Sequence, residues 1–406
     1  MHRLQVEQSA YFRYLVADTF RTVIRLSQWC CTTPFPLEPY QSNDLRNPSQ
    51  NFRSVRILRR FLAVLLFSVV LAVPLLLFYL YGVKIHVFKI PLSIKLMFYL
   101  QAMLQTASLG YVLLVYQFRT SFHRFYFDRL VSVLVEFGRP DIDKRLYALR
   151  TNIHRLLLAI LLLVVLILSA LFFRDRSWTN LLKVAIFLTT QLMASSLTLH
   201  YMTLFGMVAV LLRQTNDTLE IMLQEPQTLS FAPVRLTRAD EQTIEKIRFL
   251  QLQLLQIVLR TNGGEFGRLL IVMLLTTFLF LNTEMLQLYQ GIKAATFTFD
   301  VIGTKLTNSA LKFAMLVMFA FSNRLIQQQN LRGLKLLYQL HSSGNSPRCH
   351  DITNRFITQI TFFLQRAHEA YGMLSIDMTL ILAIVAGLTN ILVVLVQFSD
   401  AKSSCK

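Results

Sequence analysis

Residues 379–398 read TLILAIVAGLTNILVVLVQF. A helix needs about 20 apolar residues, at ~1.5 Å each, to cross a bilayer, and this run has that length. Two amides, Asn390 and Gln397, interrupt it, and only SDAKSSCK follows. On a helix Ala383, Gly387, Asn390, Val394 and Gln397 recur at steps of four and three, so they share one face, which gathers both amides with a Gly and an Ala. Hydrocarbon offers an amide no partner, so this face meets protein or water. Two arrangements satisfy it. One is a helix–helix seam, where small residues permit close approach and amides bond across. The other is the wall of a water-filled pathway, with apolar residues as the gate.

Six more segments read as spans: Phe61–Tyr81, Ile94–Tyr116, Leu156–Phe173, Val184–Leu212, Leu269–Tyr289 and Leu306–Leu325. Of the 406 residues, 54% are hydrophobic, against about 45–50% in soluble domains. The chain is therefore a polytopic membrane protein. Its first 30 residues mix Arg3, Arg13, Arg21 and Arg25 with Glu7 and Asp18 and hold no early apolar stretch, so no secretory signal is visible. The net charge of +19 reports orientation rather than nucleic acid as a partner, because basic loops stay on the inner side of a membrane. With the N-terminus inside, segments 1–60, 117–155, 213–268 and 324–376 carry 30 of the 41 Lys and Arg, and the outer segments carry 11. The C-terminus is then outside.

The inner segments carry helix signals. Thr237-Arg-Ala-Asp240 resembles a capping box with Asp in place of Glu. Behind it Ile244, Ile247, Leu250, Leu254 and Val258 repeat at helical spacing up to Gly263-Gly264. A second stripe, Ile352, Phe356, Ile360 and Phe363, follows Asp351 as a candidate N-cap. Both helices join directly onto spans, which predicts that they pack together below the membrane. Cys30, Cys31, Cys349 and Cys405 fit no metal or redox spacing. No metal-ligand cluster, phosphate loop or nucleophile motif is present, so neither a metal, a cofactor nor a catalytic residue is expected.

The ending resembles the C-terminal signature of insect gustatory (chemosensory) receptors: Thr-Tyr, an apolar run, then Gln-Phe. Thr389, Gln397 and Phe398 match it, and Asn390 stands where the Tyr is usual. Phe356, Gln359, Tyr371-Gly372, Ile376-Asp377 and Leu380 resemble the family's preceding helix, glycine break and last span. The resemblance implies a tastant-gated cation channel assembled as a tetramer of itself or with related subunits, in the plasma membrane of sensory neurons. It implies an all-α fold of seven transmembrane helices with cytoplasmic helical extensions and a last helix split in two. The chain then divides into a cytoplasmic N-terminal segment (1–60), spans one to four (61–212), a cytoplasmic anchor segment (213–268) and spans five and six (269–325). A second anchor segment (326–375), a pore-lining helix (376–398) and an outer tail (399–406) complete it. Val394, Gln397 and Phe398 would form the outer gate, and Asn390 would lie on the same wall. Asp377 reads either as an acidic ring of four copies favouring cations or as the N-cap of the last helix after Gly372.

A ligand pocket needs apolar walls and a few polar groups. Gln101, Gln105, Gln191, Glu284 and Asn308 fall in the outer half of the spans, with Tyr99, Tyr289 and Phe297 as candidate walls. The family's sugar-sensing branch commonly has Glu after Thr-Tyr; Ile391 stands here, which favours a non-sugar ligand. A G-protein-coupled receptor is the alternative with seven spans. It would require an Asn-Pro-x-x-Tyr last span and an inside Asp-Arg-Tyr, whereas Arg174-Asp175-Arg176 falls outside. A transporter would show matching halves, and no internal repeat is found. Asn216-Asp-Thr218 is the only usable glycosylation sequon and falls on the inner side.

Overall fold

A computed structural model describes residues 2–33, 57–69, 71–72, 92–115, 120–137, 141–174, 178–224, 237–293, 298–343 and 347–404. The fold is all-α. In chain order the helices are α1 (His2–Trp29), α2 (57–69), α3 (Leu92–Val115), α4 (Thr120–Phe137), α5 (Ile142–Arg174) and α6 (Trp178–Gln224), followed by α7 (Arg238–Arg260), α8 (Gly267–Lys293), α9 (Phe299–Ser343), α10 (Pro347–Arg366) and α11 (Met378–Ser404). Each of the seven expected spans begins on a described helix. The second half of the first, beyond residue 72, lies outside the described residues.

Length explains the shape. α6 has 47 residues and α9 has 45, so each runs about 70 Å, against ~30 Å of hydrocarbon. Both must project well past the membrane, and they do so side by side. Their far ends meet α7 and α10 in a separate core of Leu219, Ile244, Ile247, Leu336, Leu337, Leu340, Phe356 and Ile360. The two amphipathic helices thus pack on each other and on the extended spans, instead of lying on a membrane surface. The α7 cap is as the sequence reads: Thr237 accepts from the Asp240 backbone, and the Asp240 carboxylate accepts from the Thr237 backbone at 2.8 Å. Gln359 ties α10 to α7, donating to the Arg248 carbonyl at 3.1 Å. Arg332 pairs with Asp217 (2.7 Å) and Glu220, and Asp217 also takes Arg145 at 2.7 Å, joining α9, α6 and α5.

The membrane part is built around α6, which contacts α1, α5, α7 and α9. Apolar side chains bare on the outside mark the lipid-facing helices. On α5 Leu158, Leu162, Val165 and Leu166 are exposed, and on α2 Phe61, Leu62, Val64 and Leu65. Such patches would aggregate in water and are at home in hydrocarbon.

Two helices in segments expected as inner loops enter the bundle. α1 buries Val16, Ala17, Phe20, Val23 and Ile24 against α4, α5 and α6. α4 buries Phe122, Tyr126, Phe127 and Leu130, with Phe20 packed edge-on to Phe127 at 5.2 Å.

Gly263-Gly264 does not break the chain. It sits in a single π-helical turn, Thr261–Glu265, through which α7 runs into α8. The split before the last span is real. α10 ends at Arg366, a two-residue hairpin pairs Glu369–Ala370 with Leu374–Ser375, and α11 begins at Met378. Tyr371 (φ +52°) and Gly372 (φ +69°) form its tip. Gly is free to adopt such a φ, whereas Tyr pays for it. Three contacts hold Tyr371 there: its N–H donates to the Asn262 carbonyl (2.9 Å), its hydroxyl accepts from Arg268 (2.9 Å), and the Arg268 guanidinium lies 4.8 Å from its ring centre.

Candidate functional site

α3, α6, α8 and α9 do not close completely. Leu109 and Val112 of α3, Ala194 and Leu197 of α6, Leu269, Met273 and Phe280 of α8, and Met315, Leu316 and Phe319 of α9 wall a pocket. Gln105, Ser108, Thr190, Thr276, Thr277 and Lys312 give it polar points. The cavity volume is about 50 Å³, a narrow slot. The mix of apolar walls and few polar groups is that of a small-molecule site.

The expected pocket residues distribute unevenly. Gln105 lines the pocket. Gln101, one turn away on α3, accepts from the Thr283 hydroxyl at 3.1 Å. Gln191, buried beside the pocket residue Thr190, donates to Asn308 at 3.1 Å, joining α6 to α9. Glu284 pairs with Lys305 at 2.8 Å, outside the pocket wall. Tyr289 is half-buried on α8, and the side chains of Tyr99 and Phe297 lie outside the described residues. Lys312 was missed. Counting it among the outer-loop charges hid it, although the span Leu306–Leu325 already enclosed it. A cation inside a span is a functional candidate by default.

A ring of buried hydrogen bonds lies behind one wall of the pocket. The Tyr201 hydroxyl donates to Asn262 Oδ1 at 2.7 Å, Asn262 Nδ2 donates to Asn323 Oδ1 at 2.9 Å, and Asn323 Nδ2 donates to the Tyr201 oxygen at 2.7 Å. Asn262 Nδ2 also donates to the Ala367 carbonyl at 2.7 Å. One asparagine in the π turn thus binds α6, α9 and the hairpin before α11. The ring touches the pocket through Phe319, a pocket wall packed edge-on to Tyr201 at 5.1 Å.

α11 packs on the bundle through one side only. Ile384 is buried, with Leu380, Ile381 and Leu388 against the main core, and Gly387 backs onto Phe278. Ala383, Asn390, Val394 and Gln397 are exposed, as are Leu382 and Val393. Neither Asn390 nor Gln397 has a hydrogen-bond partner among the described residues. Of the amide-bearing face read from the sequence, Ala383, Asn390, Val394 and Gln397 are therefore bare, and Gly387 alone packs on the bundle. Phe398 lies on the same helix. Asp377 caps α11: one carboxylate oxygen accepts from the backbone of Thr379 (3.0 Å) and Leu380 (3.2 Å).

Among solved structures, the olfactory receptor OR5 from the insect Machilis hrabei superposes with a TM-score of 0.68 at 8% identity, covering 93% of this chain and 97% of that one. OR5 in complex with eugenol gives a TM-score of 0.63 at 12% identity, covering 95% and 99%. At such identities the likeness establishes the fold, a seven-span all-α membrane architecture. No curated protein matches the sequence. The profile of the 7tm Chemosensory receptor family matches residues 20–402, and the chain belongs to that family.

Proposed function

We propose that this chain is a subunit of a ligand-gated, non-selective cation channel. Four subunits, copies of itself or related receptors, surround a pore lined by α11, and a small non-sugar molecule in the α3/α6/α8/α9 pocket opens it. The bare amide face of α11 carries this reading. Two unpartnered amides facing hydrocarbon would each cost several kcal/mol. Water in a pore, with neighbouring subunits beside it, removes that cost. A G-protein-coupled receptor has no need of such a face on its last span.

Three further observations support the assignment. OR5, of the same fold, is solved with eugenol, a small phenol, and the pocket here has the wall chemistry for a molecule of that class. The Tyr201–Asn262–Asn323 ring lies between the pocket wall and the hairpin that starts α11, so ligand-driven movement of Phe319 has a packed route to the pore helix. The basic bias of the projecting segments supports a cytoplasmic α7/α10 cluster and a channel mouth on the outer side. In that arrangement Asp377 would face the inner mouth, its carboxylate held by the cap on α11.

The test is whole-cell recording from cells expressing the chain, alone and with related subunits, during a small-molecule screen. The proposal predicts an agonist-evoked current reversing near 0 mV, with permeability altered by Gln397→Ala. Second-messenger signalling without any current carried by the protein would overturn it.

A further inference from the structure

The pocket contains a cation without a counter-charge. Lys312 shares a face of α9 with Met315, Leu316 and Phe319, all pocket walls. Two turns earlier on that face the partly buried Lys305 has a counter-charge and an acceptor: the Glu284 carboxylate at 2.8 Å and the Gln287 amide oxygen. Lys312 has neither. Among the described residues no carboxylate reaches it, and its partner is the face of Phe280, 5.9 Å from the ring centre. A cation–π contact at that distance is far weaker than the hydration an ammonium gives up on burial. The other polar groups do not make up the difference. Among the described residues no Asp or Glu lines the pocket, and Lys312 donates no hydrogen bond to its polar lining.

From this juxtaposition we infer that the pocket takes a small organic acid, its carboxylate paired with Lys312 and its apolar body against Met273, Phe280 and Phe319. The inference rests on the pocket being the ligand site. A carboxylate supplies the charge that Glu284 supplies to Lys305, and the low-dielectric walls strengthen the pair. The Gln105 amide is a second donor within the lining. The slot favours slim bodies, a straight alkyl chain or a single ring. Esters and alcohols of the same skeleton keep the apolar contacts and lose the charge pair, so the discrimination is between analogues of equal size.

Direct binding tests it without requiring a current. Full-length receptor purified in detergent is titrated with hexanoate, octanoate and 3-phenylpropanoate, and with the methyl ester and alcohol of each, and thermal stabilisation is read. At least one acid should stabilise the protein at concentrations 10-fold or more below its ester and alcohol. Lys312→Met should remove that advantage and leave the response to the ester unchanged, and Lys312→Arg should keep part of it. Should Lys312→Met fail to fold, Lys312→Gln takes its place, and the comparison of acid with ester in the unsubstituted protein stands by itself. Esters binding as tightly as acids, no acid of the series binding, or acids binding Lys312→Met undiminished would each overturn the inference. Recording separates this from the channel proposal. Acid binding that evokes no current keeps the ligand class and counts against the channel, whereas currents evoked only by neutral analogues keep the channel and overturn the ligand class.

Discussion

Asn262→Ala should be the most damaging single truncation in the bundle outside the apolar core. Its amide makes three side-chain bonds: it accepts from Tyr201 and donates to Asn323 and to the Ala367 carbonyl. Each such bond contributes roughly 1 kcal/mol net, and each buried group left without a partner costs about 1–3 kcal/mol. Truncation orphans the Tyr201 hydroxyl proton and Asn323 Oδ1 and takes the side-chain donor from the Ala367 carbonyl, while the Tyr201 oxygen still accepts from Asn323. The expected loss is therefore about 3–5 kcal/mol. Tyr201→Phe removes one donor and one acceptor and should cost about 1–3 kcal/mol. Because both substitutions break the same ring, they should not add. The double variant should be less destabilised than the sum by about 1–2 kcal/mol, within the range seen for residues in one network. The assay is denaturant titration of the detergent-purified protein followed by circular dichroism, for the wild type, both single variants and the double variant. Costs that add within about 0.5 kcal/mol would refute the closed ring and leave independent bonds.

Three other outcomes follow from named contacts. Gly267→Ala should abolish folded protein on size-exclusion, because a Cβ there would stand 1.9 Å from the Asn262 carbonyl oxygen. The Asn216 sequon should carry no glycan, with glycosidase leaving mobility unchanged, because Asn216 is fully buried and bonded to Gln329 (2.7 Å) and Gln251 (3.1 Å); a mobility shift would contradict both the burial and the inner placement. Burial pushes the Cys349 thiol up, with the nearby Glu241 charge adding to it, so the thiolate is scarce at neutral pH. Iodoacetamide should leave Cys349 intact in the folded protein and alkylate it after denaturation, as mass spectrometry can read.

Much of the architecture was open to a reader of the chain because its signals are local. Apolar runs of bilayer length marked the helices of the bundle, and Thr237 with Asp240 marked a helix start whose capping box the structure contains. Tyr371-Gly372 marked the division of the last helix for the same reason, since a positive φ is a property of one or two residues. The buried positions of α7 and α10 followed from their spacing. The stripe Val16, Phe20, Val23 and Ile24 on α1 has the same spacing within a charged segment, and its burial depends on partners in α4, α5 and α6. What the chain did not disclose depends on distant partners. Asn262 meets Tyr201 and Asn323 across 61 residues each, and Gln101 meets Thr283 across 182. Polar residues inside spans show that a partner is needed and do not say which. Hence Glu284 proved to belong to Lys305, while Lys312, which resembles an ordinary loop charge in the count, proved to face the pocket.

The central claim is that the exposed face of α11 meets water in a pore. Substituted-cysteine accessibility during recording tests it most directly. Gln397→Cys and Asn390→Cys are made in a background with Cys405→Ser, and Ile384→Cys, buried against the bundle, serves as the control. The account predicts that a membrane-impermeant cationic thiol reagent, applied outside during the evoked current, suppresses current through the first two and leaves Ile384→Cys unaffected. Evoked currents that persist undiminished through Gln397→Cys and Asn390→Cys would contradict it and return the amide face to a seam between helices.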